Sequence, residues 1–304
     1  MAHIKQARPS RQRGTTSMRR ALRREAPSTV GLLVDPEDFA DMRCYRSFTF
    51  EDHAVYLQQV ENLLRTLAAQ GVHTTVALFD PADYAEFCAE SGLEPDEHTS
   101  RSRFTAEIAA AGATVAYTGQ PIDTLIPLLV SQAVRRATWE YATMLLAGLG
   151  DCADCGRDIG RAAFDRASHL LMRLLDTAGP GTHHLVCSTP TEDGEQLLAV
   201  LHTARHTDGA RLSTSEGAEF ATVLAAGVAL ETQGGVVLRT TAPDASDRVH
   251  GWRLHRGSLL PLTAGEVFSA YCTDADTGEP VPPESGVEYC AGFDLGADEP
   301  EPHR

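Results

Sequence analysis

The stretch VHTTVALFDPADYAEF, residues 72–87, decides the fold of the first half of the chain. Residues 72–79 are a short apolar run, which predicts a buried strand. The following Asp80-Pro81-Ala82-Asp83 predicts a helix start, because aspartate caps free amides and proline fits the first helical turn. A similar stretch, LVDPEDFADM at residues 33–42, follows an earlier apolar run at 29–34. The Asp-Pro-x-Asp signal therefore occurs twice, although the stretch between Val34 and Val55 is otherwise expected to be irregular.

Helical patterns separate these strand-like runs from each other and from a third one. Apolar residues recur at helical spacing from Val55 to Leu67, and further helices are predicted over 81–90, 103–111 and 121–146, with a third strand at 113–117. Strands that alternate with helices predict right-handed crossovers and a parallel sheet. We therefore expect residues 28–150 to form a Rossmann-like α/β region.

The second half of the chain has a different pattern after a composition break at 148–156. It predicts a helix, a hairpin around Asp193-Gly194, a second helix and a second hairpin, at the following residues: 157–177, 183–202, 216–232 and 236–262. This order is typical of an α+β region, which we place at residues 151–295. The stretch 274–304 is rich in proline and acidic residues, so loop is expected there, with an acidic tail at 296–304.

The charge of the chain is unevenly distributed. Residues 1–25 carry eight basic side chains and one acidic one, so the net charge of −16 leaves −23 for the remaining residues. We expect residues 1–27 to be a disordered basic arm that folds back on the acidic body. An acidic body repels phosphate backbones, so nucleic acid could bind only through this arm. Its candidate binding residues are Arg19, Arg20, Arg23 and Arg24.

Composition also limits the expected cellular compartment and the kinds of catalysis that are possible. Lys5 is the only lysine and Asn62 the only asparagine, which indicates a high-GC bacterium and excludes a Schiff-base or P-loop lysine in the folded part. No apolar segment follows the basic residues, and the longest uncharged apolar stretch, 124–134, is too short to span a bilayer. The seven cysteines are expected to be reduced thiols. We expect a cytoplasmic protein without membrane contact.

Acidic residues at the two strand ends are the first candidate site. Open α/β sheets bind ligands at the carboxyl ends of their strands, so Asp35, Asp38, Asp80 and Asp83 could converge on Mg²⁺ or Mn²⁺. Such a site would suit metal-assisted hydrolysis of a phosphoester. The competing interpretation is that Asp-Pro-x-Asp only starts a helix, and further acids with the spacing of a nuclease are absent from the sequence.

A cysteine pair is the second candidate site. Cys152 and Cys155, together with His183 and Cys187, could hold a zinc ion, because two close ligands followed by two more are usual for zinc. The pair could instead form a redox disulfide. The long gap between the two halves of the set argues against the zinc site. The simpler interpretation of Cys152 and Cys155 is two reduced thiols in a linker.

Several common catalytic and nucleotide-binding motifs are absent from the sequence, which narrows the possible functions. The sequence has no G-x-G-x-x-G after the first strand, no P-loop, no G-x-S-x-G and no H-E-x-x-H. The expected function is that of a bacterial regulatory or interaction protein with a protein partner, and a homo-oligomer is compatible with this. The alternatives are a metal-dependent phosphoesterase or nuclease that uses the strand-end aspartates, and a sensor of nucleotides or small metabolites.

Overall fold

The computed structural model describes residues 28–296, except residues 192, 207–208, 212–213, 244 and 275–276. The predicted basic arm and the end of the acidic tail lie outside these residues. The chain divides into two compact units after Arg136, within a long helix. In the described part of the chain, no helix is both long and apolar enough to cross a membrane.

The N-terminal unit alternates short strands with helices. Its elements are β1 (Ser28–Leu32), α1 (Pro36–Met42), α2 (His53–Ala69), β2 (Thr74–Leu78), α3 (Pro81–Ser91), α4 (His98–Ala111), β3 (Thr114–Ala116) and the first half of α5 (Ile122–Ala147). Buried aromatic side chains form much of its core. The rings of Phe79 and Phe104 lie 5.0 Å apart, and Tyr84 contacts both. The helices and strands follow the sequence pattern closely.

The sheet of this unit differs from the expected parallel sheet. Strand β1 pairs with β2 in parallel, but β3 pairs with β2 antiparallel, so only one of the two pairs runs as a Rossmann-like sheet requires. The connection from β2 to β3 contains two helices, α3 and α4, which at 1.5 Å per residue span about 16 Å and about 21 Å. Helices of similar length return the chain to the end of the sheet where β2 finished. The strand that follows therefore runs in the opposite direction.

The C-terminal unit contains the predicted helix, hairpin, helix and hairpin. Its elements after α5 are α6 (Ile159–Ala178), β4 (Gly181–Pro190), β5 (Gln196–His206), β6 (Gly209–Arg211), α7 (Thr214–Ala229), β7 (Gly234–Thr241), β8 (Asp247–His255), β9 (Ser258–Pro261), α8 (Ala264–Tyr271) and β10 (Val287–Cys290). The order of its main sheet is β10-β8-β7-β4-β5-β6, and β9 pairs with β8. The chain is thus a mixed α/β protein.

The two long helices cover one face of this sheet. Apolar residues of α6 recur on one stripe, from Ala163 to Leu175, and α7 is buried on nearly every side from Phe220 to Val228. They pack on inward-facing residues of the strands, among them Leu185 and Trp252, which are almost completely buried. Since both helices lie on the same face, the opposite face depends on α8 for cover.

Three features of the second half were not anticipated from the sequence. The apolar run 252–262 contains a turn at Arg256-Gly257, where φ is positive at both residues, so β8 and β9 form a tight hairpin. The strand that pairs with β7 begins earlier, at Asp247. The stretch after residue 274, expected to be loop, contributes β10, which pairs in parallel with β8.

Gly227 tests the close packing of α7 on the sheet. A Cβ atom at this position would lie 2.4 Å from Cγ2 of Thr189 and 2.6 Å from Cδ2 of Leu254. Alanine favours a helix over glycine by about 1 kcal/mol, but overpacking costs about 1–3 kcal/mol. We therefore expect Gly227→Ala to lower the free energy of unfolding, measured in urea by the fluorescence of Trp139 and Trp252.

The control for this prediction is Gly265→Ala in α8, where no atom lies within 4 Å of the added Cβ. This variant is expected to be as stable as the wild type or slightly more stable. Equal effects of the two substitutions would contradict the packing argument.

Candidate functional site

The parallel pairing of β1 and β2 brings the predicted aspartates to one end of the N-terminal sheet. Leu32 pairs with Leu78, so Asp35 and Asp80 follow at the same end. Each caps the helix that it precedes: Oδ1 of Asp35 accepts from the amide of Glu37 at 2.7 Å, and Oδ1 of Asp80 accepts from the amide of Ala82 at 2.7 Å. Capping is the role that the structure shows for both residues.

Asp38 is affected by the charges that surround it. Partial burial raises the pKa of its carboxyl group, and the negative charges of Asp80 and Asp35 raise this pKa further. Asp83 has a raised pKa for the same reasons, burial first and then the charge of Asp80. The acids are therefore close enough to repel one another. Among the described residues, however, no group of three or more His, Cys, Asp or Glu side chains could hold a metal ion.

Substitutions at Asp35 separate capping from metal binding. Asparagine caps a helix about as well as aspartate, whereas alanine loses about 1 kcal/mol. We expect Asp35→Ala to lower the free energy of unfolding and Asp35→Asn to change it little, with no effect of MgCl₂ or MnCl₂ on either result. If these salts stabilise the wild type and both variants abolish that stabilisation, the aspartates bind metal as well as capping.

The four residues proposed for zinc have separate surroundings. Cys152 is buried and Cys155 exposed, and hydrogen bonds from backbone amides, that of Cys155 first, lower the pKa of the Cys152 thiol. The pair is thus brought together between α5 and α6. Cys187 lies in the core, where burial raises its pKa to about 12. The ring of His183 is also buried and contacts Oγ1 of Thr240 and the carbonyl oxygen of Gly179.

Burial of His183 makes stability depend on pH. Desolvation lowers the pKa of His183, and also that of His184, below 6.5, so the folded state keeps both rings neutral where the unfolded state is protonated. The free energy of unfolding should therefore fall as the pH drops below about 6.5, and should not change for this reason near pH 8.

Urea unfolding of the wild type and His183→Gln at pH 8, 7, 6 and 5 checks this prediction. The variant should be less stable than the wild type at pH 8, because the packing of the His183 ring is lost. Between pH 7 and pH 5 its free energy of unfolding should fall by less than that of the wild type. Parallel curves for the two proteins would show that His183 does not contribute to the pH dependence.

The outward face of the C-terminal sheet, opposite α6 and α7, carries a row of apolar side chains. Val186 of β4 pairs with Val200 of β5 on one side and with Val237 of β7 on the other, and Val237 pairs with Gly251 of β8. Residues that pair directly point to the same face, so three valines lie side by side. Together with Leu198, which is 50% exposed, they form what we call the open face.

Helix α8 covers only the far end of this row. A Cβ atom on Gly251 would lie 3.1 Å from side-chain atoms of Leu262 and Val267, so these residues close over β8. The rings of Phe268 and Tyr289 extend this cover toward β10. The valines on β4, β5 and β7 are partly exposed. Half of the outward face is therefore covered and half is open.

Polar groups border the open face on both sides. On one side lies the next row of directly paired residues, His202, His184 and Arg239. The two histidine rings stack with their centroids 4.4 Å apart. The guanidinium of Arg239 forms ion pairs with Asp247 and Glu284. On the other side lies an open depression of about 740 Å³. Its lining includes Ser188, Gln196, Gly235 and Arg253. An apolar centre with a polar border is typical of a protein-binding surface.

Sequence analysis did not identify this face. The signal was present in the alternation of β4, where His184, Val186 and Ser188 occupy every second position. Locating the face also requires the pairing of β4 with β7. Strand β7 begins about fifty residues after β4, and no local sequence pattern specifies that the two strands pair.

These features define the class of the chain as a mixed α/β protein with a half-covered, mostly antiparallel sheet in its C-terminal unit. Residues 17–120 match the family described as Domain of unknown function (DUF8829). This match covers less than half of the chain and ends before α5, so the open face lies outside it. No curated protein matches the chain, and no solved structure matches it.

Proposed function

We propose that this chain is a bacterial regulatory or protein-interaction protein and that it binds a protein partner through the open face. The observation that carries the proposal is the row Val200, Val186 and Val237, which three paired strands present to solvent beside a fully formed core. Contiguous apolar surface bordered by polar groups marks interaction sites, whereas single exposed apolar residues are normal on protein surfaces.

The chemistry of the border supports a protein partner. The stacked His184 and His202 offer flat rings, and Arg239 is fixed by two carboxylates, so these side chains are held in place before a partner arrives. Groups that are already ordered lose less conformational entropy on binding. The open face thus combines apolar area with a rigid polar edge.

A double substitution tests the proposal. Val186→Glu combined with Val237→Glu places two charges at the centre of the open face and should abolish capture of the partner from an extract of the producing cells. The matched control is Val55→Glu in α2, because Val55 is 50% exposed and lies in the other unit. Circular dichroism and urea unfolding establish that each variant is folded.

The expected result is one protein retained in defined stoichiometry by the wild type and by Val55→Glu, and lost with the double variant. Equal capture by all three proteins would place the interaction elsewhere. Failure of all three to retain any protein would contradict the proposal.

A further inference from the structure

The free edge of β5 is the feature from which we infer more. Strand β5 pairs with β4 from Gln196 to Arg205, but on its other side β6 pairs only with residues 204–206. Within the part of the chain that the structure describes, no strand pairs with residues 196–202 on that side. A free edge presents unpaired N–H and C=O groups to any other strand.

The ladder between β4 and β5 determines which groups point to this edge. The amide of Thr191 donates to the carbonyl oxygen of Glu195 at the start of the hairpin. Antiparallel pairs alternate between hydrogen-bonded and non-hydrogen-bonded positions, so Gln196, Leu198, Val200 and His202 direct their N–H and C=O groups away from β4. The same four side chains lie on the outward face.

The edge lacks the usual protection against pairing. Residues 196–204, QLLAVLHTA, contain no charged residue and no proline, although lysine, proline or a bulge commonly blocks such strands. The strand is also long for an edge. An extended peptide of high charge would find no complementary charge on it, whereas a second uncharged strand would meet no repulsion.

We propose that two copies of this chain pair through β5, antiparallel, about a two-fold axis at Ala199. This register pairs Leu198 with Val200 of the second copy and Gln196 with His202 of the second copy, so all four edge-directed residues find partners. It also ends before Ala204, where β6 occupies the edge. Identical contacts on both sides are what a two-fold dimer requires. The proposal builds on the proposed function, because it extends the open face across two copies.

The total charge of the two chains opposes this arrangement. Each chain has a net charge of −16, and two such chains repel at long range. Salt screens exposed charges, so the dimer should become tighter as the concentration of NaCl rises from about 0.05 M to about 0.5 M.

Sedimentation equilibrium of the full chain, compared with Val200→Pro, tests the pairing. Proline removes an N–H that points to the free edge and leaves the ladder with β4 intact. We expect the wild type to sediment as a dimer and the variant to dissociate at least about tenfold more readily. Val200→Thr keeps the N–H and should dimerise like the wild type, and Leu198→Lys, which keeps the backbone, should weaken the dimer if Val200→Pro does not fold.

Disulfide formation between copies tests the register. In a Cys44→Ser, Cys155→Ser background, which removes the exposed cysteines, a mixture of Leu198→Cys and Val200→Cys chains should form a mixed disulfide on mild oxidation. Each chain alone should crosslink at least about tenfold more slowly. Crosslinking of Val200→Cys with itself at the mixed rate would overturn the proposed register.

Three other results would overturn the proposal. These are a monomer at all protein and salt concentrations, a dimer that Val200→Pro and Leu198→Lys leave intact, and binding of a different protein to the edge of a monomeric chain. The Val186→Glu, Val237→Glu variant distinguishes the two proposals. It should remain dimeric while it loses the partner. Retention of the partner would contradict the proposed function, whereas loss of the dimer would contradict pairing through the β5 edge.

Discussion

The antiparallel pairing of β4 with β7 is the contact on which the C-terminal unit depends. Each of these strands is the first strand of a hairpin, and each follows a long helix. Joining the hairpins through their first strands places the second strands, β5 and β8, on either side of this central pair, and β8 is followed by β10. It also brings α6 and α7 to the same face, where they share one core. The open face and the free edge are both consequences of this single pairing.

The balance of cover on the two faces follows from the lengths of the helices. Helices α6 and α7 have 20 and 16 residues and span the inner face, whereas α8 has 8 residues and covers one side of the outward face. At 1.5 Å per residue α8 reaches about 12 Å, which is the width of two to three strands. A sheet of this size cannot be closed by such a helix. Some of its outward surface remains available for another molecule.

Local patterns in the sequence were sufficient for most helices and strands but not for their pairing. The run from Val72 to Phe79 and the Asp80-Pro81 start of α3 were correctly assigned, because burial and capping act within a few residues. The predicted direction of β3 was wrong, because this direction depends on how far α3 and α4 carry the chain. The same distinction applies to the aspartates: their capping role is local, whereas any shared ligand would depend on distances across the sheet.

The uncharged edge of β5 stands out because the rest of the chain is rich in charged residues. The chain contains 42 acidic and 26 basic residues, and charges on a strand edge are an inexpensive way to prevent pairing with other chains. Nevertheless β5 carries none between Gln196 and Ala204, while its outward side chains continue the valine row of the open face. A second β5 would satisfy the free backbone groups and lengthen that row in one step. The long-range repulsion between two acidic bodies would then keep the pairing limited and sensitive to salt, which suits a regulated contact better than a permanent one.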